Sequence, residues 1–170
     1  YSDSSWTQLG NDIDGEAAWD QSGGSVSINS AGGRVAIGAR GNSSTNGHVR
    51  VYEYIGSSWT QLGNDIDSEA AADNSGVSVS INSAGDRVAI GADFNDGDGG
   101  QSGHVWVFEY SGSSWSQLGG DIDGEAAGDK FGVSVSIDSN GNRVSIGSVI
   151  NSGDGSNAGH VRVYAYSNSS

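Results

Sequence analysis

Short runs of Val and Ile alternate with Ser, Ala and Gly along this chain, and the alternation predicts β-strands throughout and almost no helix. In residues 25–28, Val26 and Ile28 fall on one face and Ser25 and Ser27 on the other. In residues 34–39, Val35 and Ile37 oppose Ala36 and Gly38, and in residues 48–54, Val49 and Val51 oppose His48, Arg50, Tyr52 and Tyr54. A run at residues 5–10, with Trp6, Gln8 and Leu9, predicts a further strand ahead of these three. Small residues on the second face of the middle strands let another sheet approach on both sides, as the packing of propeller blades requires.

This set of four segments comes three times. Trp6, Trp59 and Trp115 open the copies; Arg34, Arg87 and Arg143 precede a Val-x-Ile-Gly core; His48, His104 and His160 each sit in Gly-His-Val. The Trp spacing is 53 and then 56 residues, and the first copy is three residues shorter between its Arg and its His. A period near fifty residues marks a propeller, a solenoid or an array, in which each unit covers its apolar faces with its neighbours. The expected fold is therefore all-β: one repeat domain of three four-stranded antiparallel β-propeller blades, at about 1–54, 55–110 and 111–170, with outer strands open to exchange between neighbouring blades or chains. A β-trefoil is the competing fold and would gather Trp6, Trp59 and Trp115 around one three-fold core. Asn29, Asn82 and Asp138 each start a Gly-containing hairpin turn. The Asp-Ile-Asp-x-Glu-Ala-Ala segments between the first two strands predict a single capped helical turn.

Charge and composition narrow the partners. Seven Lys and Arg against 21 Asp and Glu leave a net charge of -14, which argues against nucleic acid and anionic membranes, because both call for a basic footprint. Cys is absent, so neither a disulfide framework nor a thiolate metal site is available. No apolar run approaches 18 residues, hence no membrane span is expected. The chain begins without Met and both ends lie in phase with the repeat, which predicts a processed product, a window of a longer array, or a boundary set by cloning.

The third copy carries Phe131-Gly-Val-Ser-Val-Ser-Ile, then Arg143-Val-Ser-Ile-Gly-Ser, then Gly159-His-Val-Arg-Val-Tyr. This order resembles the FG-GAP repeat of integrin-alpha-type β-propellers, and the likeness runs through all three copies. Two departures stand out: Ser22 and Ser75 replace the Phe, and Arg40, Asp93 and Val149 stand where the family has the Pro of Gly-Ala-Pro. The family's calcium loop would fall on the hairpins at Asn29, Asn82 and Asp138, which hold too few carboxylates for an ion that takes six to eight oxygens.

Other acidic clusters compete for calcium. Asp93, Asn95, Asp96 and Asp98 lie within one loop of the second copy and form the candidate metal site, against the reading of a solvated Asp/Asn/Gly turn. Asp12, Asp14, Glu16 and Asp20 recur in each copy, which fits blade construction as well as a ligand. The three His residues occupy like places in different units and read as strand-start hydrogen-bonding groups. Asn42 and Asn168 begin N-x-S sequons and are candidate glycosylation sites in a secreted chain. No nucleophile elbow with acidic and His partners appears, nor a phosphate-cradling loop, so catalysis is not expected.

The resemblance implies a non-catalytic extracellular or cell-surface module, structural or adhesive, that binds neighbouring repeats, an extracellular protein, or itself. A lectin with one glycan site per copy, built on the Trp and Tyr sets, is the alternative. Three blades are fewer than a closed ring usually holds. Self-association to six blades, or an open filament joined head to tail by exchange of the outer strand, would complete the packing.

Overall fold

The computed structural model describes residues 4–42, 46–97, 99–151, 155 and 157–167. Its regular structure is three antiparallel sheets. The strands are β1 (Ser22–Ile28), β2 (Arg34–Ala39), β3 (His48–Ile55), β4 (Ser58–Gln61), β5 (Ile66–Asp67), β6 (Ser78–Ile81), β7 (Arg87–Ala92), β8 (His104–Tyr110), β9 (Trp115–Gln117), β10 (Ile122–Asp123), β11 (Ser134–Ile137), β12 (Arg143–Ser148) and β13 (His160–Ala165).

The sheets do not coincide with the sequence copies. In the first sheet β1, β2 and β3 run in order, and the outer edge of β3 pairs with both β4 and β5, which belong to the second copy. The second sheet repeats this with β6, β7 and β8, edged by β9 and β10 of the third copy. The third sheet has only β11, β12 and β13. The second and third copies thus give their Trp strands to the sheet before them. The first copy's own Trp segment forms no strand among the described residues, contrary to expectation.

Two local expectations are corrected. The Asp-Ile-Asp segments, read as the start of a helical turn, instead supply β5 and β10, because Ile66 and Ile122 pair with Val49 and Val105 on the free edge. The following Glu-Ala-Ala is a tight turn held from behind: Asp73 Oδ2 accepts from Ala70 N (3.1 Å) and Ser68 Oγ (2.9 Å), and Asp20 Oδ2 accepts from Ala17 N (2.7 Å). The hairpin turns are built as expected. The side-chain oxygen of Asn29 takes the N–H groups of Gly33 and Arg34, and that of Asn82 takes Gly85, Asp86 and Arg87.

Pleating gives every sheet two unlike faces. Cross-strand partners Val26↔Ile37 and Ile28↔Val35 put the branched side chains of β1 and β2 together, while Ser25↔Gly38 and Ser27↔Ala36 make a face of small residues, continued by Val49 and Val51 of β3. The small face of the first sheet packs on the branched face of the second, joining Ala36, Val49, Val51 and Ile66 to Val79, Ile81, Val88, Ile90 and Trp106. The small face of the second meets the branched face of the third, joining Ala89, Val105 and Val107 to Phe131, Ile137, Val144 and Ile146. Two cores therefore lie between three sheets. The trefoil expectation does not describe this arrangement: Trp59 and Trp115 pair with different sheets, and Trp6 is fully exposed.

Candidate functional site

The same contacts recur at both junctions. Ser25 Oγ donates to Gly76 O across the first and Ser78 Oγ to Gly132 O across the second, each at 2.7 Å. Ile81 N donates to Ser27 Oγ and Ile137 N to Ser80 Oγ. These bonds satisfy backbone groups that face a neighbouring sheet, where an unpaired donor would cost about 1–3 kcal/mol. Gly38 and Gly91 lie opposite the Gly76 and Gly132 carbonyl oxygens, and a Cβ at either would collide with them.

Arginine ties the same junctions at the turn end. Arg34 pairs with Glu53 on its own sheet (2.8 Å), donates Nη1 to Gly85 O (3.1 Å) and lies 5.9 Å from the Tyr110 ring. Arg87 pairs with Glu109 (2.6 Å), donates to Gly141 O (3.1 Å) and lies 5.8 Å from the Tyr166 ring. In the third copy Ala165 stands opposite Arg143 in place of that Glu.

Two faces are left without a neighbouring sheet among the described residues. Val26 and Ile28, on the branched face of the first sheet, are 62% and 60% exposed, against 8% and 7% for their counterparts Val79 and Ile81. Val161 and Val163, on the small face of the third sheet, are 71% and 68% exposed, against 0% and 1% for Val49 and Val51. Full burial of one such side chain stabilises by about 1.5–3 kcal/mol, so leaving all four in water forgoes several times that. The first face is of the kind that covers the second at both internal junctions.

A cavity of about 290 Å³ opens beside the third sheet, lined by Val107, Leu118, Gly119, Val144, Tyr164 and Tyr166 among others. Its lining residues come from two copies, so only the repeat points to it in the sequence.

The candidate metal residues answer to protein donors. Asp93 Oδ1 accepts from Asn74 Nδ2 (2.6 Å), Asn95 Oδ1 from Gly97 N (2.8 Å) and Asp96 Oδ1 from Gln101 N (2.6 Å), while Asp98 lies outside the described residues. A different trio, Glu16, His48 and Asp65, brings one ligand atom each within 4.8 Å of one another. Its members are engaged: Glu16 with Arg50 (3.5 Å), and Asp65 with Gln61 Nε2 (2.6 Å) and His48 Nδ1 (3.8 Å). His48, His104 and His160 open β3, β8 and β13 in three separate sheets. Burial pushes the His104 imidazole down to about 4, partly opposed by Asp121 and Asp73, so it is neutral near pH 7. Asn42 donates to Asp20 Oδ1 at 3.4 Å, and Asn168 lies outside the described residues.

The sequence matches no protein-family model and no curated protein with which it was compared. Among the described residues no helix is long and apolar enough to cross a membrane, which bears on helical spans alone.

Proposed function

We propose that this chain is a non-catalytic β-propeller-like repeat module, structural or adhesive, whose two open sheet faces are covered by further copies of the same unit. Self-association, or a place in a longer array or filament, supplies those copies. The single observation that carries this is the complementary pair of uncovered faces, branched at one end of the chain and small at the other. The resemblance of the motifs at Phe131, Arg143 and Gly159 to FG-GAP propeller repeats supports the same reading, and an extracellular or cell-surface setting follows from that resemblance.

The lectin alternative has less behind it. Sugar stacking needs open aromatic rings; Trp6 is open, whereas Trp59 and Trp115 spend their indole N–H groups on Leu9 O (2.9 Å) and Leu62 O (2.7 Å) and pack on Tyr54 and Tyr110 at 5.1 and 5.2 Å.

Light scattering across a concentration series tests the reading. The mass should rise above the 17.3 kDa of one chain as concentration increases. A mass that stays at one chain throughout rules out self-association, and glycan-array binding abolished by Trp or Tyr substitution would favour the lectin.

A further inference from the structure

The outer edge of the third sheet shows which segment of a second copy it is built to take. This rests on the reading above, that the open ends bind further copies, and adds the segment, the register and the anchoring side chain.

In the first sheet β4 lies against β3 with Tyr52↔Gln61, Glu53↔Thr60 and Tyr54↔Trp59. In the second, β9 lies against β8 with Phe108↔Gln117, Glu109↔Ser116 and Tyr110↔Trp115. Each Trp ring lies over a glycine of the preceding copy: a Cβ on Gly10 would stand 3.2 Å from Trp59, and one on Gly63 would stand 3.0 Å from Trp115. The indole N–H then reaches the carbonyl just before that glycine, Leu9 O or Leu62 O.

The third sheet repeats the Leu, Gly and Tyr of this socket without the indole, and has Ala165 in the place of Glu53 and Glu109. β13 pairs with β12 on one side and with no strand on the other among the described residues. Leu118 and Gly119 occupy the places of Leu62 and Gly63, Tyr166 that of Tyr110, and the nearest atoms to a Cβ on Gly119 are those of Tyr166, at 3.7 Å, with no indole between. The 290 Å³ cavity lies at this spot.

At the other end of the chain the matching plug is unused. Residues 6–9 are Trp-Thr-Gln-Leu, identical to residues 59–62, and Trp6 is fully exposed. One local contact of the docked copies is already in place here. Gln8 Nε2 donates to Asp12 Oδ1 at 2.8 Å, as Gln61 does to Asp65 and Gln117 to Asp121 in the two copies whose strands are docked. Preorganisation of this kind lowers the ordering cost of binding.

We infer that residues 4–9 of a second copy of this chain enter as the fourth strand of the third sheet, antiparallel to β13, with Trp6↔Tyr166, Thr7↔Ala165 and Gln8↔Tyr164. The Trp6 indole N–H donates to Leu118 O. Strand addition provides main-chain hydrogen bonds, and the pocket for one aromatic side chain fixes the register. The first sheet of the incoming copy then covers Val161 and Val163 with Val26 and Ile28, which makes the contact head to tail.

The test uses the absence of Cys. Thr7→Cys and Ala165→Cys are made in separate preparations, mixed and oxidised; the expected product is the mixed disulfide, in excess over either homodimer. Trp6→Ala should weaken association on the order of tenfold or more, as loss of a buried aromatic anchor does. Its melting should match that of the parent under conditions where both are single chains, since Trp6 is exposed. Association that Trp6→Ala leaves unchanged, or homodimer disulfides alone, overturns the strand-and-socket contact while the repeat-module reading stands. A parent chain that stays monomeric at every concentration overturns this contact and self-association together, and leaves of the reading above only a place in a longer array.

Discussion

At the scale of single residues, repetition exposes which atoms the fold needs. The hairpin acceptor is Asn in two copies and Asp138 in the third, and the N–H groups of Arg143 and Asn142 hold the Asp138 carboxyl below its usual range. Glu53 and Glu109, which pair with Arg34 and Arg87, are matched in the third copy by Ala165 opposite Arg143. His104 offers a cleaner readout. Its ring centroid lies 3.6 Å from that of Trp106 and its Nε2 has no hydrogen-bond partner among the described residues, so the folded state disfavours the imidazolium. Because the folded value lies below the ordinary 6.5, the unfolded chain binds the proton first on acidification. The stabilisation from the neutral ring is fully present above about 6.5 and lost as pH falls towards 4. An NMR titration should show the His104 ring protonating near pH 4, and a midpoint in the ordinary histidine range would contradict its burial.

At the scale of elements, the middle strands were legible because a period of two survives in Val-Ser-Ile, Val-Ala-Ile and Val-Arg-Val whatever the neighbours are. The small-residue faces were legible too, and both internal junctions are built on them. What escaped was non-local. Ile66 and Ile122 sit between aspartates and look like turn residues, and only the free edge of β3 or β8 makes strands of them. The left-handed backbone at Trp19, Ala72 and Gly128 was hidden at the first two, since only glycine among these residue types advertises positive φ. The candidate site is half legible: exchange of the outer strand is one option the three-copy count raises, but Leu118, Gly119 and Tyr166 carry no chemistry that marks them in a sequence. Close approach at the junctions yields a graded prediction. Gly91→Ala drives a methyl into the Gly132 carbonyl and should cost about 1–3 kcal/mol by denaturant unfolding. Gly147→Ala meets only the side chain and carbonyl of Ser134 in its own sheet, so it should cost the single chain less while still obstructing association.

At the scale of the whole molecule, the apolar faces favour contact between copies while a charge of -14 on each opposes it. Screening reduces the repulsion and leaves apolar burial intact. Association should therefore strengthen from low to physiological salt, as measured by sedimentation, and weakening with salt would point to an interface held by ion pairs instead. The lent outer strand also fixes where the chain can be divided. Cutting between Tyr54 and Ile55, at the boundary the copies suggest, strips an edge from one sheet and leaves an orphan arm on the next piece. A segment that starts at Ser22 and stops after Asp67 keeps all five strands of one sheet together. An engineer wishing to lengthen, shorten or permute this protein would find the interchangeable part out of phase with its visible repeat.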